Sequence, residues 1–188
     1  MFFVNTNLNH SVLHNYDMIF SWFKKNQSEV PPVKYKKASR KEASEELVQL
    51  GEDLANDRHY DRALEYFNKA IEMNSENDFA WGDRGLMLDK KGRKNEALES
   101  FSRALEIDSS NSITWHNKGL TLLKLGKLAE GVECFNKAIE INEKYAKAWY
   151  NKGRGLSMLG KENESQRSFD TARKLDPLLF GKLKKMKS

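Results

Sequence analysis

Cysteine is nearly absent from this sequence, since Cys134 is the single one among 188 residues. One cysteine cannot build an internal disulfide framework, and it suits a reducing compartment where a buried thiol acts as a small apolar group. Long apolar runs are also missing, because no stretch approaches the roughly 18 to 20 residues of a spanning helix. The opening "MFFVNTNLNH" lacks the cationic start and apolar core of a secretion signal. We therefore expect a cytoplasmic protein.

Charge of one sign is in only modest excess, with 32 Lys and Arg residues against 27 Asp and Glu residues. A net charge of +5 does not by itself indicate a nucleic-acid partner. The apolar content of 39% is enough for an ordinary folded core. The composition is therefore that of a globular protein.

An internal repeat is the dominant feature of the sequence. Trp81, Trp115 and Trp149 are spaced 34 residues apart. Other residues keep the same period: Gly85, Gly119, Gly153; Gly92, Gly126, Gly160; Phe101, Phe135, Phe169; and Ala104, Ala138, Ala172. One period earlier, Leu47, Gly51, Ala63, Phe67 and Ala70 occupy matching positions, with leucine replacing tryptophan. The predicted repeats are residues 44–77, 78–111, 112–145 and 146–179.

Each repeat is predicted to contain two helices. The first carries tryptophan and glycine near its middle and ends in a glycine turn, where glycine can adopt a left-handed conformation. The second shows apolar residues at helical spacing, as in "NEALESFSRALEID". One such pair cannot bury both of its apolar faces alone, so successive pairs are expected to stack.

The spacing W-x3-G followed by A-x3-F-x2-A, with Pro177 in the last unit, resembles the tetratricopeptide repeat. Three features depart from the family pattern: Arg84, Lys118 and Lys152 replace a leucine before glycine, Leu54, Leu88, Leu122 and Leu156 replace a tyrosine, and proline occurs only at 177. The resemblance implies an all-α fold, a right-handed superhelical solenoid of helix-turn-helix repeats. A pentatricopeptide array would imply RNA reading, but its period is one residue longer, so we expect no nucleic-acid partner.

The resemblance also implies a concave groove, lined by the first helices, that holds a segment of another protein. Carried over position by position, the groove residues are Phe79, Asp83, Leu86, His116, Asn117, Leu120, Tyr150, Asn151 and Arg154. Phe79, Leu86, Leu120, Ile113 and Leu123 would form an apolar strip beside Asn117 and Asn151, whose amides can bond a peptide backbone. The alternative is that several of these apolar residues pack between helices.

Some family members grip the C-terminal carboxylate of a heat-shock chaperone with lysine and asparagine at the fifth and ninth positions of one unit. Here the first unit has Val48 and Glu52 at those positions, and the second has Gly82 and Leu86. A buried anion must be paired with cations, so this clamp is absent. The absence of this clamp does not exclude peptide ligands of other kinds.

No catalytic arrangement emerges from the sequence, which predicts no enzyme and no cofactor. His10, His14 and Asp17 share one side of a predicted helix, but no fourth ligand suggests itself, so no metal site is expected. Cys134 lies between Val132 and Phe135 without a histidine nearby in its own repeat, which favours packing over nucleophilic chemistry.

The two ends lie outside the repeats. Residues 1–25 are predicted to form an amphipathic helix, in which Leu8, Val12, Tyr16, Ile19 and Phe23 recur at helical spacing. This helix fills the groove of its own chain, drives homo-oligomerisation, or, as the least favoured option, binds a membrane surface. Residues 26–43 form a basic linker with Pro31 and Pro32, although Ser39 and Glu42 resemble a capping box that would start the first repeat helix early. Residues 180–188 are predicted to be a basic C-terminal cap or tail.

The predicted function is therefore a scaffold that binds a peptide or helix of a partner protein. Two alternatives remain: a self-assembling structural protein whose N-terminal helix acts on another copy, and a regulatory subunit of a catalytic complex.

Overall fold

The computed structural model describes residues 40–178, and within that range the chain is entirely helical apart from its turns. Eight helices follow one another in pairs joined by short turns. They are α1 (Arg40–Asn56), α2 (Tyr60–Met73), α3 (Asp78–Lys90), α4 (Lys94–Ile107), α5 (Ser112–Lys124), α6 (Leu128–Ile141), α7 (Ala146–Met158) and α8 (Glu162–Leu175). This is an all-α helical repeat solenoid, as the sequence predicts. None of the helices in this described part combines the length and apolar character that a membrane span needs.

The start of α1 falls four residues inside the range predicted as linker. Arg40 is already helical, which agrees with the early start that the Ser39 and Glu42 pattern predicts. The predicted N-terminal helix, its His10, His14 and Asp17 cluster, and the basic tail 180–188 lie outside the described residues.

Within each helix pair, a glycine of the first helix receives a phenylalanine of the second. A methyl group placed on Gly119 would lie 2.7 Å from the Phe135 ring, and one on Gly153 would lie 2.8 Å from the Phe169 ring. Phe135 is fully buried. Glycine at this position therefore lets the paired helices approach closely enough for the ring to pack against backbone, as the repeat predicts.

The turns between paired helices require a left-handed residue. Gly92, Gly126 and Gly160 have φ of +79°, +77° and +74°, which confirms the turn that the glycine period predicts. Arg58 occupies the equivalent place in the first pair and has φ of 63°. The first pair thus keeps the same turn with a residue that is less suited to it.

The chain divides into two compact units, residues Met1–Ala80 and Trp81–Ser188. In the first unit, Ser44 of α1 is buried and its Oγ donates to the Ala70 carbonyl at 2.8 Å. Asn77 Nδ2 donates to Ser44 Oγ at 2.9 Å, while Asn77 Oδ1 accepts the Ala80 backbone N–H at 3.1 Å. Asn77 therefore ties the α1 and α2 pair to the start of α3, and caps that helix as asparagine commonly does.

In the second unit, the tryptophans pack between helices. Trp115 and Trp149 contact a buried cluster of Ala138, Ile139 and Ala148. Each indole N–H donates to a carbonyl of the preceding turn, Trp115 to Ser109 and Trp149 to Glu143, both at 2.9 Å. The rings thus fill apolar space while their single donor is satisfied.

Candidate functional site

The first helices of the second unit, α3, α5 and α7, are joined to one another by polar side chains. Between α3 and α5, Thr121 Oγ1 donates to Asp89 Oδ1 at 3.0 Å, and Lys124 Nζ pairs with Asp89 Oδ2. The Asp89 side chain is only 9% exposed. A carboxylate this buried needs such partners, so the contact fixes α3 against α5.

A second polar contact joins α5 to α7. Asn151 Nδ2 donates to His116 Nε2 at 2.9 Å and to the Lys147 carbonyl at 3.0 Å. Arg154 Nη1 donates to Asn151 Oδ1 at 3.1 Å. Both polar atoms of the Asn151 amide are therefore engaged within the protein, and this amide is not free for a peptide backbone.

His116 is neutral in this network. Burial lowers the pKa of His116 to about 4, a hydrogen bond to Asn117 opposes that shift, and the charge of Lys147 adds to it. Because Nε2 accepts from Asn151, the ring proton sits on Nδ1, which donates to Asn117 Oδ1 at 3.3 Å. A proton added at Nε2 would face the Asn151 N–H, so burial and local geometry favour the same uncharged state.

Aromatic rings enclose His116 on its apolar sides. Its ring centroid lies 5.7 Å from that of Phe135 and 5.0 Å from that of Tyr145, both tilted. Tyr145 stands one period after Asn111, whose side chain caps α5 by accepting the Thr114 N–H at 3.0 Å. At α7 this capping bond is missing, and the tyrosine ring packs on the histidine instead.

The residues predicted for the groove divide into buried, half-buried and exposed sets. His116 and Asn151 are buried, and Phe79 and Arg154 are exposed, Phe79 to 62%. The half-buried ones are Asp83, Leu86, Asn117, Leu120 and Tyr150. Phe79 belongs to the first unit and the other eight to the second.

Within the second unit, these residues form stripes along the first helices. Positions three, four and seven apart share one side of a helix, and the stripes on α3, α5 and α7 follow these spacings. We call their surface the first-helix face: Asp83, Leu86, Ile113, Asn117, Leu120, Lys147, Asn151 and Arg154. Its most exposed apolar residue is Ile113, at 60%. The face therefore carries apolar area in the middle, on α5, and cations on α7.

Two residues of the predicted groove turn largely inward. Leu123 is 8% exposed and packs where a methyl group on Gly131 would fall, 2.9 Å from Leu123 Cδ2. It belongs to the helix interior, so its assignment to the exposed apolar strip is wrong. Tyr150 packs against Phe169 of its own helix pair, with ring centroids 5.4 Å apart. This leaves Tyr150 half-buried at the edge of the face.

The family register also places Asp89 among the groove-facing positions of the second repeat, but sequence reasoning did not predict its partners. Its partners Thr121 and Lys124 stand 32 and 35 residues away. Residues about one period apart lie on neighbouring first helices, so the 34-residue period is the sequence feature that points to these contacts. Opposite charges about one period apart, such as Asp89 and Lys124, therefore indicate a contact between neighbouring first helices.

The cations that depart from the family pattern stack on the repeat tryptophans. Arg84 lies over the Trp81 ring at 5.6 Å, Lys118 over Trp115 at 5.6 Å, and Lys152 over Trp149 at 5.1 Å. In the first repeat, where leucine replaces tryptophan, the corresponding residue is Leu50 rather than a cation. Cation and tryptophan thus occur together, three residues apart on one side of the helix.

Catalytic chemistry finds little support in the described residues. Burial raises the pKa of the Cys134 thiol to about 11, and the side chain is 6% exposed. A protonated, buried thiol is a poor nucleophile. No group of three or more metal-ligating side chains occurs within residues 40–178.

A separate cavity of about 250 Å³ lies between α6, α7 and α8. Val132, Leu156 and Leu159 are among its apolar lining residues, and Lys152 and Glu164 are among its charged ones. Its lining residues are distinct from those of the first-helix face.

Models of one family match three parts of the chain. Each is described as a tetratricopeptide repeat, and they match residues 48–112, 112–145 and 134–167. Together these ranges span well over half of the chain. No curated protein is similar enough in sequence to count as a match.

Several solved structures share the fold. A crystal structure of MamA is 16% identical, with a TM-score of 0.69, and the match covers 96% of this chain and 99% of MamA. PilF of Pseudomonas aeruginosa is 20% identical, with a TM-score of 0.70, over 74% of this chain and 64% of PilF. At these identities the likeness concerns the fold alone.

A third similar structure holds a ligand. It is the second tetratricopeptide-repeat domain of Spaghetti (RPAP3) bound to the HSP90 peptide SRMEEVD. It is 28% identical, with a TM-score of 0.53, over 54% of this chain and 95% of that domain.

Proposed function

This chain belongs to the tetratricopeptide repeat family, and from that premise we propose that it is a non-enzymatic scaffold whose first-helix face binds a peptide or helix of a partner protein. A protein-interaction role is the common role of this fold, and a similar domain is solved with a peptide bound. The residues of the first-helix face support it as the binding surface.

The observation that carries the proposal is the contrast between polar groups of the first helices that are held by internal contacts and apolar groups of the first-helix face that are open. Asp89 and Asn151 are held by internal hydrogen bonds across neighbouring helices. Ile113, by contrast, is 60% exposed, and Leu86 and Leu120 keep part of their surface open. A rigid floor with open apolar side chains favours binding, because little order has to be imposed when the partner arrives.

The charges of the face favour one class of ligand. Lys147 and Arg154, both exposed, lie on α7, while Asp83 lies on α3. A segment with apolar anchors and an acidic end toward α7 matches this distribution. Such charges set orientation and association rate more than affinity.

The heat-shock chaperone peptide is disfavoured as the ligand. Val48 stands at a position where the clamp needs a cation or amide, and its side chain is buried. Gly82 and Leu86 at the next pair of positions offer neither group. The likeness to the Spaghetti domain therefore supports peptide binding in general, and a carboxylate clamp is not part of the proposal.

Selection of displayed peptides on the full chain tests the proposal. Peptides that bind are then titrated against Ile113→Glu and against Ile141→Glu, since Ile141 is an isoleucine of α6 that is 42% exposed. We expect Ile113→Glu to weaken binding about tenfold or more, because a carboxylate replaces an apolar contact. Ile141→Glu is expected to leave affinity unchanged.

A third variant separates the two candidate surfaces. Leu159→Glu places a charge in the cavity between α6, α7 and α8. Peptides that lose affinity with Leu159→Glu and keep it with Ile113→Glu would move the binding site to that cavity and contradict the proposal.

A further inference from the structure

The hydrogen bonds around Asn151 fix which way its side-chain amide points. Asn151 Nδ2 donates to the Lys147 carbonyl at 3.0 Å, and Asn151 Oδ1 accepts from Arg154 Nη1 at 3.1 Å. A flipped amide would set oxygen against the carbonyl and nitrogen against the guanidinium, so two separate contacts require the same orientation. His116 Nε2, at 2.9 Å from Asn151 Nδ2, is therefore an acceptor, and the ring proton lies on Nδ1.

The same reasoning fixes the amide of Asn117. Its Oδ1 lies 3.3 Å from His116 Nδ1 and accepts the ring proton. Asn117 Nδ2 is thus the end of the amide that points away from the ring, and it can only donate. Within residues 40–178 no acceptor is matched to this nitrogen, and Asn117 is half-buried. The amide therefore offers a donor to a ligand on the first-helix face.

Two cations of α7 stand beside these amides. Lys147 and Arg154 are exposed, and no carboxylate in the described part of the chain pairs with either. The bond to Asn151 draws the Arg154 guanidinium back along the helix. At a rise of about 1.5 Å per residue, the level of Asn151 lies roughly 6 Å along the axis from Lys147, a distance that a lysine side chain spans. The two positive charges can therefore approach the same bound group.

The acceptors of this cluster are used inside the protein, while its donors are open. Asn151 Oδ1, Asn117 Oδ1 and His116 Nε2 each accept from a neighbouring side chain. The Lys147 ammonium, the other N–H groups of Arg154 and the Asn117 amide nitrogen have no such use. A site that offers donors and two positive charges selects an anion rich in acceptors. A phosphate monoester, with a charge of about −1.5 to −2 and three acceptor oxygens, matches it better than a carboxylate does.

We propose that Asn117, Lys147 and Arg154 form an oxyanion subsite of the first-helix face, which receives a phosphorylated serine or threonine side chain of the bound segment. This inference rests on the proposed function, since it names one group of the ligand of the same face. The apolar side chains of α5 hold the rest of the segment, and the phosphate fixes its position along α7. Phosphorylation of the partner then controls binding.

A short probe tests the subsite without any partner protein. N-acetyl-O-phosphoserine N-methylamide is titrated into the isotope-labelled full chain, and nuclear magnetic resonance follows the backbone amides and the asparagine side-chain NH2 signals. We expect the Asn117 side-chain signal and the amides near Lys147 and Arg154 to shift, with a dissociation constant on the order of millimolar. The matching glutamate derivative is expected to bind at least about threefold more weakly, and the unphosphorylated serine derivative to cause no shift there.

Charge-matched variants show whether the probe binds at this subsite. Lys147→Gln and Arg154→Gln are each expected to weaken binding of the phosphoserine probe about fivefold. Lys137→Gln removes the same charge from α6, where Lys137 Nζ pairs with Glu140 at 3.0 Å, and is expected to leave the affinity unchanged. An equal loss in all three variants would mean an adventitious ion only, attracted by the net charge, and would overturn the subsite.

The substitution Asn117→Asp tests the amide donor separately. Aspartate keeps an oxygen for His116 Nδ1 and replaces the open donor by a second oxygen, so we expect the phosphoserine probe to lose most of its affinity. Thermal unfolding checks that the variant is folded. Unchanged affinity in a folded Asn117→Asp chain would overturn the role of this amide. A glutamate probe that binds wild type as tightly as phosphoserine would overturn the assignment to phosphate.

The two proposals fail in different ways. If selected peptides need Ile113 while the phosphoserine probe causes no shift at Asn117, the binding function stands and the oxyanion subsite falls. If the probe binds in a way that depends on Lys147 and Arg154, and no selected peptide needs Ile113, the subsite stands and the peptide-binding role of the face falls.

Discussion

His116 shows how one residue of the face is determined by its neighbours. Its Nε2 accepts from Asn151, its Nδ1 donates to Asn117, and its ring packs between Phe135 and Tyr145. The repeat predicts that position 116 lies on a first helix. It does not predict burial, because burial depends on a tyrosine that replaces a capping residue one repeat later.

The lowered pKa of His116 predicts loss of stability in acid. The unfolded histidine has a pKa near 6.5 and the folded one near 4, so between these values the unfolded chain binds the additional proton. The contribution of His116 is complete above pH 6.5 and declines as the pH falls toward 4. Each unit of pKa difference corresponds to about 1.4 kcal/mol.

Urea unfolding between pH 7 and pH 5 measures this effect. The wild-type chain is expected to lose stability over that range, and His116→Gln to lose clearly less, since glutamine does not titrate. His59→Gln removes an exposed histidine and serves as the control variant. Equal slopes for wild type and His116→Gln would show that burial of this ring does not govern the acid sensitivity.

The cation that precedes each repeat glycine is a second residue-scale feature. Sequence comparison with the family pattern marks Arg84, Lys118 and Lys152 as departures. The structure gives their reason, since each lies over the tryptophan three residues before it. Arg84 and Lys118 also donate to hydroxyls of the following or preceding helix, Ser100 at 2.5 Å and Ser102 at 2.9 Å. The departures therefore stabilise local packing and need no functional explanation.

At the scale of helices, the approach within a pair depends on a glycine. Gly119 faces Phe135 on one side and the Gly131 carbonyl on the other, which a methyl group would approach to 2.7 Å and 3.0 Å. The backbone carbonyl of Gly131 cannot move aside as the end of a flexible side chain can. Gly131 in turn faces the Gly119 carbonyl at 3.0 Å, so α5 and α6 meet through two small residues.

Gly119→Ala is therefore expected to destabilise the chain by about 1 to 3 kcal/mol, because the added methyl group overpacks this contact. Gly82→Ala is the matched control, since it is also a helical glycine but its nearest neighbour would be Thr114 Oγ1 at 3.4 Å. There alanine is expected to be neutral or stabilising by up to about 1 kcal/mol through its helix propensity. Thermal unfolding compares the two, and a Gly119→Ala variant as stable as Gly82→Ala would contradict the close-approach argument.

At the scale of the whole chain, the repeat made the fold predictable. A period of 34 residues placed tryptophan, glycine and phenylalanine in register, and those residues appear in the structure at the packing positions expected of them. The turn glycines predicted where the first helices end. In the first repeat the period places Arg58 at the glycine position, but an arginine does not by itself indicate a left-handed turn.

The candidate face was only partly predictable. The register identified first-helix residues such as Leu120 and Arg154, but it treated every repeat alike. Leu123 turned inward against Gly131 of its own repeat and Gly155 of the next one, and Asn151 found an internal partner in His116 of the preceding repeat. A periodic pattern describes what the repeats share, so it does not predict contacts that depend on residues particular to one repeat.

We propose that the first-helix face, and no other surface, receives the partner peptide. Nuclear magnetic resonance of the isotope-labelled full chain, titrated with a selected peptide, tests it most directly. We expect the largest amide shifts in α3, α5 and α7, near Leu86, Asn117, Leu120 and Arg154, with smaller shifts in the second helices. Shifts concentrated in α4, α6 and α8, or around the cavity lined by Val132 and Leu159, would contradict it.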